Sequence, residues 1–183
     1  MPSQTRRRAI KMALEYWLAR PLFIDTETTG LDGLAEIVEI SILDREGDVL
    51  MDSLVKPMRR IPQDVIRVHG IANEMVQDAP TWAEIWPQVE DILKDRYVGV
   101  YNAEFDLRMM RQSHRANDMA WRFRDNRFFC IMKLYAQFRG AYRWQKLEAA
   151  GRQCGIALPN SHRAKDDALL AKAVMQHMVN VKI

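Results

Sequence analysis

Two carboxylates stand two positions apart in the segment DTETTG, which occupies residues 25–30. The short apolar run before them predicts a buried strand, and side chains at positions i and i+2 of a strand point to the same face of the sheet. Asp25 and Glu27 are therefore expected to converge, and they repel each other there unless a proton or a divalent cation neutralises them. Taken alone, such a pair is more often a strand end and turn than a metal site.

Two further segments place acidic residues at predicted helix starts. In YNAEFD, Asn102 is the expected N-cap and Asp106 lies in the first turn, where the helix dipole favours an anion. In SHRAKDD, His162 precedes Asp167 by five positions, so the histidine can lie on the entering loop while the aspartate projects inward. A lone carboxylate at a helix start needs no metal, so the three segments gain a chemical meaning only if folding brings them together.

An amphipathic helix is predicted at residues 4–19, before the strand that carries Asp25. Its apolar side chains recur at helical spacing opposite arginine and lysine, and Pro21 ends the pattern. Such a helix either packs on the sheet or docks a partner protein, and packing is the favoured alternative.

The remaining segments alternate between strand-like and helical patterns. Two apolar runs joined by a Gly-containing connection predict a hairpin, and Thr81 with Glu84 three residues later predicts a capping box at a helix start. Pro87 inside that helix predicts a kink or a second start. Early antiparallel strands followed by alternating strands and helices indicate a mixed α/β sheet with helices on its faces. After the first strand, the segments in chain order are 36–43, 49–55, 81–94, 97–101, 103–115, 130–137, 145–153 and 164–178.

The composition is that of an ordinary globular protein of 183 residues, 48% of them hydrophobic and 28% charged. Collagen-like, low-complexity and wholly disordered chains are excluded, and the length fits one domain with one substantial core. No apolar run approaches the ~20 residues of a membrane-spanning helix, and charges interrupt the region where a secretory signal needs an unbroken apolar core. We therefore expect a cytoplasmic protein without a membrane partner, with Cys130 and Cys154 as reduced thiols.

Basic residues are concentrated in one stretch. Between Arg108 and Arg143, nine Lys or Arg accompany two Asp, a charge of +7, while the rest of the chain carries −4 toward the total of +3. Arg108, Arg111 and Arg115 recur on one face of a predicted helix. With its aromatic residues, this stretch either follows a nucleic-acid strand by phosphate contact and stacking or forms a solvated face over core aromatics.

In their order and on these elements, the three acidic segments resemble the signature of the DEDDh group of 3′–5′ exonucleases. This is the superfamily of DNA polymerase proofreading subunits, ribonuclease T and oligoribonuclease. The motifs that carry the resemblance are DTETTG, Asn-Ala-x-Phe-Asp and His-x-Ala-x-x-Asp, together with Val-His-Gly-Ile at 68–71 and the segments 146–148 and 154–156. The resemblance covers about residues 20 to 178 and departs at Tyr101, where many relatives have His.

The resemblance implies an α/β fold of the ribonuclease-H-like type, with a mixed five-stranded sheet flanked by helices. A helical extension at residues 1–20 would precede an exonuclease domain at 21–183. Matching positions imply that four acids hold two cations and that His162 acts as general base, since an imidazole near neutrality can take the proton of an attacking water. The implied metal ligands are Asp25, Glu27, Asp106 and Asp167. The expected substrate-binding residues are Thr28, Gly30, Leu31, His69, Asn102, Phe105, Arg108 and Arg111.

Two side chains in this set have an alternative reading. His69 either approaches the terminal nucleotide or caps a local turn in a loop. Phe105 either stacks on a base or belongs to the core, as aromatic residues at helix starts often do.

The expected function is therefore removal of nucleoside 5′-monophosphates from the 3′ end of single-stranded nucleic acid, using two Mg²⁺ or Mn²⁺ ions. The HGI segment favours DNA. One alternative is an RNA-processing exoribonuclease or an oligoribonuclease-like enzyme. Another is a catalytically silent nucleic-acid-binding adaptor, although all five catalytic positions are filled. A polymerase or repair complex, tethered through the N-terminal helix, is a further candidate partner that no sequence feature identifies.

Overall fold

The structure is a computed structural model and describes residues 3–157 and 162–181. Its elements in chain order are α1 (Gln4–Leu18), β1 (Leu22–Thr28), β2 (Ile37–Leu43), β3 (Val49–Leu54), α2 (Gln63–His69), α3 (Trp82–Leu93), β4 (Val98–Val100), α4 (Ala103–Ala116), β5 (Phe128–Cys130), α5 (Ile131–Arg139), α6 (Leu147–Gln153) and α7 (Ala164–Asn180).

The strands form one mixed sheet in the order β3-β2-β1-β4-β5. The predicted hairpin is confirmed as β2 and β3, and β1 pairs antiparallel with β2 but parallel with β4. In the parallel pair Ile24 lies opposite Val100, so both strands end at the same edge of the sheet. The residues that follow them therefore meet there, at the carboxyl edge where α/β folds commonly place ligand sites. The expected mixed five-stranded sheet is confirmed.

Two hydrophobic clusters cover the two faces of the sheet because successive strand residues point to opposite sides. Phe23 packs in a cluster with residues of α1, α5 and α7. Leu22 and Ile24, its neighbours along β1, pack in a second cluster with residues of α3 and α4. The sheet is thus a central layer between two helical layers.

The N-terminal helix packs on the fold, as its amphipathic pattern favoured. Ala9, Ile10 and Ala13 are buried, and Tyr16 stacks on Phe129 with ring centroids 4.1 Å apart. The Ser3 side chain accepts a hydrogen bond from the Arg6 N–H and caps the helix start. No helix among the described residues is both long enough and apolar enough to cross a membrane.

Two local expectations need correction. His69 does not lie in a loop, because it is the last residue of α2, a short helix whose N-cap Pro62 makes no side-chain capping bond and so gives no start signal. The capping box of Thr81 and Glu84 is confirmed, but α3 has no second start and runs continuously through Pro87. The buried apolar face of α3 holds the helix together although proline cannot donate one backbone hydrogen bond.

Candidate active site

The alternation along β1 sends Asp25 and Glu27 to the face of the sheet that α7 covers, because Phe23 two residues earlier faces the cluster containing α7. Asp167 reaches the same place from the first turn of α7. Carboxylate oxygens of Asp25, Glu27 and Asp167 lie within 4.8 Å of one another. Three of the four predicted acids therefore form a candidate metal site. The alternation of the strand places Asp25 and Glu27 there, and α7 adds Asp167.

The fourth acid enters from the other helical layer. Asp106 lies in the first turn of α4 and is only 4% exposed. The Thr26 hydroxyl, which points to the opposite face of β1 from its acidic neighbours, donates a hydrogen bond to Asp106 Oδ1 at 2.8 Å. Asp106 therefore lies next to the three clustered acids, but it is not one of the residues whose carboxylate oxygens lie within 4.8 Å of one another.

A cleft of about 750 Å³ joins all four acids and His162. Most of the expected substrate-binding residues also line it: Thr28, Gly30, Leu31, Asn102 and Phe105. Asn102 is the N-cap of α4, as expected, although its side chain makes no capping hydrogen bond. An apolar stretch of the wall, at Pro62, Val65 and Val68, comes from α2 and its N-cap. Of these three residues, only Val68 belongs to a motif that the sequence singled out.

The remaining expected substrate-binding residues do not line the cleft. His69 is buried behind it, where its Nδ1 accepts from the Ile71 N–H at 3.0 Å and its Nε2 lies 3.2 Å from the Thr28 carbonyl. Both ring nitrogens are thus engaged by the backbone. Arg108 is exposed beside the Phe105 ring.

Arg111 is exposed as well, but it forms an ion pair with Asp125 and lies over the Trp121 ring. Trp121 itself contacts Trp86 and His114, so this part of the basic stretch covers core aromatics. Tyr142 and Trp144, in contrast, are exposed to 108% and 62%.

His162 lies at the rim of the cleft and is the residue before the N-cap of α7. Its backbone is left-handed, with φ 48°, and its side chain is about half exposed. Nε2 lies 3.7 Å from Glu148 Oε1. Glu148, on α6, lies in the segment 146–148 that the resemblance includes, but the sequence gives no signal that it contacts His162.

The pKa of each carboxyl group in the site lies above its ordinary value when no cation is bound. Burial raises the pKa of Glu27 to about 8, that of Asp106 to about 7 and that of Asp167 to about 6. The pKa of Asp25 also lies well above its ordinary value, because of burial and then because of the neighbouring Asp106 and Asp167 charges. Carboxylates gathered at this cost are typical of a functional site.

The donor set fits a divalent cation. Among the described residues, Asp167 Oδ1 is buried from solvent yet has no hydrogen-bond partner. A buried carboxylate oxygen is normally satisfied, so it requires a ligand that the protein does not supply. Oxygen donors without nearby thiolates suit hard cations such as Mg²⁺ and Mn²⁺.

Comparison with known proteins agrees with this geometry. The model of the exonuclease family, ribonuclease T type, matches residues 22–175, which span the whole sheet and all four acids. The chain belongs to the exonuclease family. Exonucleases of this family normally use divalent cations, and the acidic cluster of this chain fits such ions.

The exonuclease is similar in sequence to a phage exonuclease and to a DNA polymerase III epsilon subunit. It is 38% identical over 165 residues to the uncharacterized exonuclease CP81 of Escherichia phage 186, with 84% of this chain and 85% of the relative covered. It is 28% identical over 170 residues to the DNA polymerase III subunit epsilon of Treponema pallidum, with 85% and 74% covered.

Solved structures confirm the ribonuclease-H-like fold that the motifs implied. The exonuclease matches exonuclease X in complex with 5′ overhanging duplex DNA at a TM-score of 0.68 and 26% identity, covering 87% of this chain and 90% of that one. The nuclease domain of 3′hExo, a DEDDh family member bound to rAMP, matches at a TM-score of 0.73 and 18% identity, with 85% and 89% covered. The resemblance to the DEDDh group is therefore confirmed.

Proposed function

We propose that this chain is a 3′–5′ exonuclease that uses two divalent cations, Mg²⁺ or Mn²⁺, to release nucleoside 5′-monophosphates from single-stranded nucleic acid, with DNA preferred. The observation that carries the proposal is the meeting of Asp25, Glu27 and Asp167 oxygens within 4.8 Å in a cleft that Asp106 and His162 also line. These residues are the groups that hydrolysis of a phosphodiester by water uses, namely oxygen ligands for divalent cations and a general base.

The acids have the role of ligands. Asp25, Glu27 and Asp167 would share one cation, and Asp106, on the other side of β1, would help to hold the second. When bound, such cations lower the pKa of a water and stabilise negative charge on the phosphoryl group and the leaving oxygen. The orphaned Asp167 Oδ1 supports a ligand role for this residue in particular.

His162 has the role of general base. At the rim of the cleft, the imidazole takes the proton of the attacking water, as histidine side chains do in general base catalysis. The imidazolium that forms lies beside Glu148, whose Oε1 is 3.7 Å from Nε2 and stabilises the positive charge. His162 and Glu148 thus act as a base and its orienting partner.

The terminal nucleotide has an apolar place in the cleft. Leu31 is 75% exposed on one side, next to the wall at Val65 and Val68, while Phe105 lies at the start of α4. Gly30, with φ 153°, follows the strand that holds the acids, and a Cβ added there would meet open space. A base therefore packs between apolar walls while its phosphate reaches the carboxylates.

The exposed loop before α6 offers a path for the preceding nucleotides. Tyr142 and Trp144 are exposed beside Arg143, and Leu147 lines the cleft. The Tyr101 hydroxyl donates to the Gln145 carbonyl at 2.7 Å and fixes the loop to the end of β4. Aromatic stacking and cationic contacts of this kind bind single strands without sequence preference.

DNA is the preferred substrate in this proposal because exonuclease X was captured with duplex DNA and a related sequence is a DNA polymerase III epsilon subunit. The latter also makes a polymerase or repair complex the partner class that we propose. RNA processing is the competing activity, because the carboxylates read the phosphodiester and not the sugar. A silent adaptor is disfavoured, since all the catalytic groups are present in one cleft.

The proposal is tested by digestion of 5′-labelled single-stranded DNA and RNA of one sequence with Mg²⁺, Mn²⁺ or chelator. We expect a ladder that shortens from the 3′ end, 5′-monophosphates as product, faster cleavage of DNA and no cleavage in chelator. Asp25→Ala abolishes the ladder, whereas Asp78→Ala, which removes an exposed acid outside the cleft, leaves it unchanged. Cleavage by Asp25→Ala at the parental rate would contradict the proposal. Faster cleavage of RNA than of DNA would make RNA the preferred substrate in place of DNA.

A further inference from the structure

One buried carboxylate next to the acidic cluster belongs neither to the ligand group nor to the cleft. Glu39, in the middle of β2, is 4% exposed and lies directly opposite Glu27 in the β1–β2 ladder. It contacts the start of α7, 124 positions further along the chain. A buried charge of this kind is retained only with good partners.

The partners of Glu39 are the first residues of the helix that carries Asp167. Arg163 Nε donates to Oε1 at 2.9 Å and to Oε2 at 3.1 Å, and its Nη2 donates to Oε1 as well. The Ala164 N–H donates to Oε2 at 2.9 Å. One carboxylate thus holds both the side chain of the N-cap residue and the first backbone N–H of α7.

This contact replaces the cap that the helix lacks in its own sequence. Arg163 is the N-cap, and its side chain makes no capping bond to α7. Helix starts normally use Ser, Thr, Asp or Asn for this purpose. Here Glu39 supplies the anion from a neighbouring strand, at the end of the helix where the dipole favours negative charge.

The anchored residues, Arg163 and Ala164, stand in the chain between His162 and Asp167, the two residues at this end of α7 that the site uses. His162 immediately precedes Arg163 and has a left-handed backbone, and the Asp167 N–H bonds to the Arg163 carbonyl at 3.0 Å. Since Glu27 and Glu39 are paired across the ladder, holding α7 to Glu39 also fixes Asp167 relative to Glu27. Arg163 at the same time neutralises Glu39.

We propose that Glu39 and Arg163 are a positioning pair that sets His162 and Asp167 against the carboxylates of β1; the proposal rests on the exonuclease function argued above. Neither residue lines the cleft, so neither contacts substrate. The pair acts through the groups it places. Loss of either partner therefore impairs metal binding and turnover while the affinity for substrate is kept.

The test compares Glu39→Gln, Arg163→Gln and the double variant with the parent, each assayed well below its Tm. The matched control is Glu36→Gln, a change at another buried glutamate, which accepts backbone hydrogen bonds from Met58 at 2.9 Å and Arg59 at 3.1 Å and so loses comparable folding contacts away from α7. The readouts are the Kd for Mn²⁺ by calorimetry, and kcat and KM on a single-stranded oligomer.

We expect both single variants to weaken Mn²⁺ binding and to lower kcat, each by about 10- to 100-fold, as loss of groups that orient metal ligands does. The KM of each variant should stay within about twofold of the parental KM. The double variant should be no worse than either single variant, because the Glu39–Arg163 contact is lost in all three. Glu36→Gln should match the parent in Kd and kcat.

The direction of the Mn²⁺ effect separates positioning from simple charge. Removing a nearby positive charge at Arg163 would tighten cation binding if charge alone mattered, so tighter binding by Arg163→Gln overturns the proposal. Equal losses in Glu36→Gln, or parental kcat in both single variants, overturn it too. If the parent binds Mn²⁺ but hydrolyses no nucleic acid, the proposed function fails, while the Kd series still tests the positioning pair.

Discussion

The Thr26 hydroxyl donates a hydrogen bond to Asp106 Oδ1 at 2.8 Å, and this bond joins the middle of β1 to the start of α4. It links two acidic segments that lie 80 positions apart in the chain. Thr26 stands between the two acids of β1 but faces the other helical layer, so the residue that separates the two acids in the motif also holds the fourth carboxylate in place.

Thr26→Val should raise the pKa of Asp106 further above its present value of about 7. Burial raises that pKa first of all, and the Thr26 hydroxyl lowers it by stabilising the charged form. Without the hydroxyl, protons compete better with the cation at neutral pH. We expect several-fold weaker Mn²⁺ binding at pH 7, measured by calorimetry, with the difference shrinking above pH 8.

Thr26→Ser is the control for that change, because it keeps the hydroxyl and loses only a methyl group. It should bind Mn²⁺ like the parent at both pH values. Equal weakening in the serine variant, which keeps the hydroxyl, would contradict the assignment of the effect to the hydrogen bond.

Glu27→Gln should stabilise the metal-free protein at alkaline pH. The folded pKa of Glu27, about 8, lies above the ordinary 4.5, so folded protein keeps a proton that the unfolded chain has lost. The stability due to this group is therefore complete below pH 4.5 and falls as pH rises to about 8. Glutamine has no such loss.

In chelator, the Tm difference between Glu27→Gln and parent should grow from pH 5.5 to pH 8.5. A gain of at least about 2–4 °C corresponds to roughly 1 kcal/mol in a domain of this size. Mn²⁺ should then raise the Tm of the parent but not that of the variant. Glu74→Gln, at an exposed position, should show no pH-dependent difference; a constant Tm gap across the range would refute the burial argument.

The placement of the acids could be predicted where a short period decides it. Asp25 and Glu27 share a face because strands alternate, and parallel pairing of β1 with β4 brings the segment before Asp106 to the same edge. Glu39 could not be found in this way. A single glutamate inside an apolar strand has no spacing signal, and its partner Arg163 is 124 positions away.

The interpretation of the histidines shows the same limit. His162 is placed by its distance in sequence from Asp167, and the structure puts it at the cleft. His69 belongs to a motif that suggested nucleotide contact, yet both its ring nitrogens are used by the backbone of Thr28 and Ile71. Whether a histidine faces a cavity or ties two segments together depends on tertiary hydrogen bonds that a motif does not encode.

His162→Ala should reduce kcat by about 10²- to 10⁴-fold, the usual contribution of a general base. Because the acids remain, Mn²⁺ binding measured by calorimetry should be unchanged. Glu148→Gln should give a smaller loss, since it leaves the base in place and removes only the charge beside Nε2. A kcat for His162→Ala equal to that of the parent would assign the proton transfer to another group.

The salt dependence of binding should distinguish the two arginines of α4. Arg108 is exposed beside Phe105, which lines the cleft, whereas Arg111 is paired with Asp125. Each phosphate contact on a single strand contributes about 0.7 to the slope of log K against log salt. Arg108→Ala in the Asp25→Ala background should therefore flatten the slope by about that amount, measured by fluorescence anisotropy with a labelled oligomer.

Arg111 requires a charge-neutral comparison, because removing it alone leaves Asp125 to repel the substrate. The double variant Arg111→Ala, Asp125→Ala keeps the net charge of the protein. We expect its slope to equal that of its background, because the Arg111–Asp125 ion pair carries no net charge to attract a phosphate. A slope flattened as much as by Arg108→Ala would mean that the ion pair opens when nucleic acid binds, and the basic stripe would then extend from Arg108 to Arg111.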